Sequence, residues 1–227
     1  MVEGTAVCRV DMKFIRAADI FADDDPDCPE PRKGLTDVWF HVFEKHVIMT
    51  AANGYAMCRV KASYGSMRHG EVVPGFAASA KRLLSLPEGV GSLTFYVSND
   101  GAVSASPDQD RPGAYYIGNS GGKMPGFAGA VKKAEEERKF VVAGLEQSWK
   151  AVNGQFVRLA LDACELLFGN RYVLTWIGNG EKGLWQFKCM SDHGDGRASF
   201  WASVMPMHDI YGAQNVRQDW LLEGLGG

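Results

Sequence analysis

The chain lacks the marks of a disulfide-stapled or metal-knuckle protein. Its five cysteines (Cys8, Cys28, Cys58, Cys164 and Cys189) are odd in number and scattered, with no Cys-x-x-Cys pair. That excludes a regular disulfide framework and a zinc knuckle, and predicts free thiols in a reducing cytoplasm. No apolar run approaches the ~18 residues that span a membrane. The first residues, MVEGTAVCRVDMK, have no basic segment followed by an apolar one, so no signal peptide is expected. An excess of positive charge is also missing: 24 basic against 27 acidic side chains give a net charge of −3. The chain therefore does not grip nucleic acid by overall charge, although a local basic surface remains open to it.

Local catalytic signatures are missing too. There is no Ser-His-Asp grouping, no spaced carboxylate pair on a helix and no His-Glu-x-x-His. Gly118-Asn119-Ser120-Gly121-Gly122-Lys123-Met124 imitates a phosphate loop. It is one residue short, places Met124 where a magnesium-binding hydroxyl belongs, and is followed by Pro125, which disfavours helix there. Asp23-Asp24-Asp25-Pro26-Asp27-Cys28-Pro29-Glu30-Pro31 reads as a solvated acidic loop rather than a metal site. Asp192-His193-Gly194-Asp195 reads as a hairpin tip. No catalytic residue, metal or cofactor is expected.

What is present suits a globular protein: 227 residues, of which 46% are apolar and 22% charged. Asp11 is placed to cap a helix over 12–21, where Phe14, Ile15, Ala18 and Phe21 share one face. Strands are expected at 7–10, 38–43, 47–52 and 55–61, with Asn53-Gly54 as a strong hairpin turn. Apolar spacing predicts a helix over 75–86, stopped by Pro87. A hairpin follows at 92–98 and 102–106 around Asn99-Asp100-Gly101, then a short strand at 115–117. Residues 131–139 are a charged linker or exposed helix, 140–142 a short strand, and 145–152 and 156–168 helices. Three strands close the pattern at 171–177, 183–190 and 197–204. The order is helix, strands, helix, strands, twice over. It predicts an α+β fold: two modules of antiparallel sheet with helices on one side. The modules are expected at 1–130 and 131–207, the second shortened, with a tail at 208–227.

The last predicted strand runs into Val204-Met205-Pro206-Met207. Pro206 cannot donate to a sheet ladder, so it ends the strand or lies on an edge. The two methionines beside it offer a soft apolar surface suited to several partners.

These residues resemble the terminal Val-Met-Pro-Met of the bacterial DNA polymerase sliding clamp. Val47-Ile48-Met49-Thr50-Ala51-Ala52-Asn53-Gly54-Tyr55-Ala56-Met57-Cys58-Arg59-Val60 is similar to that family's strand, Ala-Thr-Asp-Gly turn and following strand. Met124-Pro125-Gly126-Phe127 resembles its Tyr-Pro-Asp-Tyr. The likeness runs through most of residues 5–207. It implies a DNA clamp-like fold and a non-enzymatic processivity factor in DNA replication, which encircles double-stranded DNA and docks a polymerase or other replication proteins through short peptides. The family's chain has three modules and this one has room for two, so a closed ring implies a homo-oligomer, a trimer. The resemblance implies non-specific DNA-backbone contacts from Lys13, Arg16, Lys81, Arg82, Lys150 and Arg158 on the predicted helices. It implies partner docking at Val204, Met205, Pro206 and Met207. A cytoplasmic location without membrane contact goes with it. Two other readings stay open: a clamp-derived protein-binding module that does not encircle DNA, and an enzyme with no local motif.

Overall fold

The computed structural model describes residues 4–23, 34–63, 75–79, 82–83, 85–86, 89–107, 115–119, 129, 131–132, 153–170, 172–177, 185–191 and 198–205. Strand β1 (Gly4–Asp11) leads directly into α1 (Met12–Asp19). Strands β2 (Asp37–Val42), β3 (His46–Ala52), β4 (Ala56–Ser63) and β5 (Phe76–Ser79) follow. Next come β6 (Ser92–Ser98), β7 (Ala102–Ser106) and β8 (Tyr115–Asn119). Helix α2 (Gly154–Phe168) and strands β9 (Tyr172–Ile177), β10 (Trp185–Ser191) and β11 (Ala198–Val204) complete the described elements.

The strands form two antiparallel sheets. One has four strands in the order β1-β6-β7-β8, and the other seven in the order β5-β2-β3-β4-β11-β10-β9. The seven-stranded sheet joins chain regions far apart in sequence: Arg59 of β4 lies opposite Trp201 of β11, and Val60 opposite Phe200. Helices α1 and α2 pack against each other; α1 also rests on β2, β3 and β4, and α2 on β9, β10 and β11. The architecture is therefore α+β with antiparallel sheets, as the sequence predicts, and α1 and α2 lie on one side of the larger sheet.

Strand alternation makes the two faces of the large sheet different. Toward the helices point Phe40, Val47, Met49, Cys58, Val60, Phe200 and Ala202, all essentially inaccessible to water. They share one core with Ile15, Ala18 and Phe21 of the first helical region and with Ala160, Ala163 and Cys164 of α2. Phe21 and Phe200 meet with ring centroids 6.0 Å apart. On the opposite face a small second cluster forms from Trp39, Ala52, Met57 and Ala77, with Leu35, Val131 and Trp201 against it.

Local chemistry explains the element ends. Asn153 caps α2 by accepting from the Gln155 N–H at 2.9 Å. Gly169 closes the helix with φ of 66°, its N–H donating to Glu165 at 2.8 Å. Asp11 occupies the cap position of α1 but makes no side-chain cap bond. In the β3–β4 turn, Asn53 Oδ1 accepts from the N–H groups of Tyr55 and Ala56, and Gly54 takes φ of 88°. That is the turn chemistry expected of Asn-Gly.

One expected element differs. Residues 75–86 do not form a continuous helix: Phe76–Ser79 is a strand paired with β2, and residues 82–83 are helical. Tertiary contact overrides the helical spacing here, because Phe76 stacks on Phe40 of β2 and touches Phe95 of β6. The expected elements at 140–142 and 145–152 lie outside the described residues. So do most of the acidic loop, the glycine-rich stretch after Asn119, the tip at 192–197 and the tail.

Candidate functional site

Three surfaces carry chemistry. The first is the outer side of the helix layer. On α1, Met12, Phe14, Ile15, Ala17 and Ala18 are buried, so the solvent stripe is left to Lys13 and Arg16. Lys13 Nζ sits 5.0 Å from the ring centroid of Phe14. On α2, Arg158 is exposed but lies 3.4 Å from Asp162 one turn on. Leu161, Glu165 and Leu166 are exposed on the same helix. Arg82 is exposed elsewhere, and its charge partly offsets the upward push that burial gives the Asp37 carboxyl. Lys81 and Lys150 lie outside the described residues. The structure thus brings α1 and α2 side by side, with two basic side chains on one and a mixed-charge face on the other.

The second surface is the end of β11. Met205 N–H donates to the Tyr55 carbonyl at 2.8 Å, which fixes the strand end against the β3–β4 turn. Tyr55 stacks on Phe156 of α2, with centroids 5.7 Å apart and planes 16° from parallel. Tyr55 is 56% and Met205 51% exposed, so two large apolar groups stand in solvent on one small ledge. Val204 is fully buried; it supports the ledge from the core and presents no side chain to a partner. Pro206 and Met207 lie outside the described residues. Nothing in the sequence alone marks Tyr55 and Phe156, because only the turn and the start of α2 bring them to Met205.

The third surface is a cavity of about 330 Å³ on the sheet face opposite α1 and α2. Arg59, Lys61, Lys188, Ser199 and Trp201 line it among apolar neighbours that include Ile48 and Val131. Arg59 and Lys61 are two residues apart on β4 and share a face. Trp201 lies directly between Arg59 and Lys188 in the register of β4, β11 and β10. The positive charge is felt by its neighbours. Burial and then the charge of Arg59 hold His41 below the usual imidazole range. Burial and then Lys61 do the same to His46. Burial also lowers the pKa of Arg59 itself.

Among the described residues there is no group of three or more His, Cys, Asp or Glu side chains placed to hold a metal. No helix among them is long and apolar enough to cross a membrane.

No protein-family model matches the chain, and no curated protein does. Solved structures do match. The DNA polymerase III beta subunit of Thermotoga maritima superposes with a TM-score of 0.56 at 13% identity, over 91% of this chain and 66% of that one. The DNA polymerase III beta chain of Streptococcus pneumoniae gives 0.56 at 10% identity, over 92% and 66%. The Helicobacter pylori beta clamp in complex with diflunisal gives 0.54 at 10% identity, over 91% and 66%. At such identities the likeness establishes the fold: this chain has the fold of bacterial beta clamps, and spans just under two thirds of their length.

Proposed function

We propose that the chain is a non-enzymatic, clamp-like processivity and docking factor. Its helix face lies toward double-stranded DNA, and the end of β11 receives a short peptide of a polymerase or another replication protein. The observation that carries this reading is the exposed pair Tyr55 and Met205, held together by the 2.8 Å bond between their backbones, on a clamp fold. An apolar anchor can bury both at little conformational cost, because the turn and strand already fix them.

For DNA, Lys13 and Arg16 supply charge to phosphates without reading bases. Arg82 and Arg158, with Lys81 and Lys150, are proposed to extend that contact. The chain is proposed to divide into modules at 1–130 and 131–207, with the β4–β11 pairing as the seam. Three copies, head to tail, then close a ring. A cytoplasmic location is part of the same proposal.

A second reading is favoured by α2. Its solvent side holds the Arg158–Asp162 pair, Glu165, Leu161 and Leu166, which suits a protein surface better than a phosphate backbone. In that case the chain docks proteins without encircling DNA. Solution mass and DNA topology separate the two. A trimer retained on circular but not on linear DNA supports the ring. A monomer at high concentration, with equal retention on both DNA forms, rules it out in favour of the docking module.

A further inference from the structure

The basic cavity on the far face of the large sheet is used by neither the helix layer nor the ledge at Met205. It is set apart from that ledge by buried Met57 and Ser203, which lie opposite each other between the two. Its chemistry is specific. Three cations come from two strands, and an indole stands between two of them. The Trp201 Nε1–H donates to Gln186 Oε1 at 3.3 Å, which holds the ring's orientation. The Ser199 hydroxyl lies opposite Lys61 and adds a neutral donor.

Geometry sets the scale. Adjacent strands lie ~4.8 Å apart, so Arg59 and Lys188, two strands apart, start from backbone positions about 10 Å from each other. Long side chains from both can converge on one group between them. Arginine offers a planar fork to a phosphate or carboxylate, and lysine a compact point charge. A cavity of about 330 Å³ is at the lower end of the ~300–1,000 Å³ of small-molecule sites. That volume is of the order of one ring with its phosphates.

We propose that this cavity binds a small ligand in which a planar ring carries phosphate, of mononucleotide size. Trp201 takes the ring by stacking, while Arg59, Lys61 and Lys188 take the phosphates. The site is independent of partner docking and of DNA encirclement.

The test is calorimetric titration of the full chain with ADP, with inorganic pyrophosphate and with adenosine. ADP is expected to bind at least about tenfold tighter than either fragment, since stacking and charge each contribute. Arg59→Gln and Lys188→Gln are each expected to weaken ADP about tenfold or more. Arg59→Lys should keep part of the affinity, which separates an effect of charge from an effect of misfolding. Trp201→Leu should bring ADP down to the level of pyrophosphate. Arg9→Gln, on β1 of the four-stranded sheet, should change nothing. Circular dichroism verifies that each variant is folded. The proposal is overturned by the absence of saturable ADP binding in the millimolar range, by pyrophosphate binding as tightly as ADP, or by folded charge variants that bind ADP like the parent.

Discussion

Phe76 lies stacked on Phe40, with ring centroids 4.7 Å apart and planes 9° from parallel. Both rings also meet Phe95, at 5.2 and 4.8 Å. The three side chains are at most 1% exposed. They join the edge strand β5 to β2, and tie the four-stranded sheet, through β6, to the seven-stranded one. Phe76→Ala is expected to cost about 3–5 kcal/mol, the usual penalty for deleting a buried ring and leaving a cavity. Val173→Thr, at a 56% exposed position, should stay within about 0.5 kcal/mol. Urea unfolding measures both. An unchanged midpoint for Phe76→Ala would mean that β5 is not docked as described.

Asp19 gives a pH-dependent prediction. It is only 9% exposed, its Oδ1 has no hydrogen-bond partner among the described residues, and burial pushes its pKa up to about 6. The folded pKa is above the unfolded one, so the folded chain holds more protons between them. The ionised carboxylate therefore costs stability: nothing below pH ~4, an increasing amount as pH rises, and the full cost above pH ~7. Asp19→Asn removes that cost. The variant should gain up to about 3 kcal/mol over the parent at neutral pH, and the gap should shrink as pH falls through ~6 and close by pH ~4. Thermal unfolding at pH 4, 5.5 and 7.5 follows it. A gap that is constant with pH, or that widens in acid, refutes the assignment.

Residues with local causes are legible in the sequence. Strands β6 and β7 have the predicted ends because Asn99-Asp100-Gly101 fixes the turn between them: Asp100 Oδ1 accepts from Ala102 N–H, and Gly101 takes φ of 84°. Helix α2 follows from its apolar spacing at Ala160, Ala163, Cys164 and Leu167. Phe76-Ala77-Ala78-Ser79 is not legible, because its spacing to Leu83 suits a helix and only the distant rings of Phe40 and Phe95 make it a strand. The site divides in the same way. Met205 is visible as a strand end, whereas Tyr55 and Phe156 reach it only through folding. The i, i+2 pair Arg59 and Lys61 is readable in β4, but Trp201 and Lys188 join it only through the β4–β11–β10 register.

Val204 and Met205 should respond in opposite ways to the same substitution. Val204→Ala opens space in the core and is expected to cost about 1–3 kcal/mol in urea unfolding, with little direct effect on docking. Met205→Ala should leave stability within about 0.5 kcal/mol, but weaken a docked apolar peptide about fivefold or more. Tyr55→Ala should act like Met205→Ala. Fluorescence anisotropy of a labelled peptide with two adjacent large apolar residues measures the affinity. If Met205→Ala and Tyr55→Ala both bind as the parent does, the ledge is not the docking site.

The helix face can be tested through salt. Removing one cation that neutralises a phosphate lowers the magnitude of the slope of log K against log salt by about 0.9 for duplex DNA. Lys13 and Arg16 stand on the solvent stripe of α1, so Lys13→Gln with Arg16→Gln should lower that slope by up to about 2 per chain. Arg158 already directs part of its charge to Asp162, 3.4 Å away. Arg158→Gln should therefore have a smaller effect than either α1 substitution. Asp162→Asn releases Arg158 and removes a negative charge from the same face, so it should strengthen DNA binding. Filter retention of a short duplex across a salt series gives the slope for the parent and for each variant. If the α1 double variant keeps the parent's slope, the DNA contact does not run through Lys13 and Arg16. If Asp162→Asn weakens binding instead, α2 meets a protein rather than phosphates, and the docking module becomes the better account of the chain.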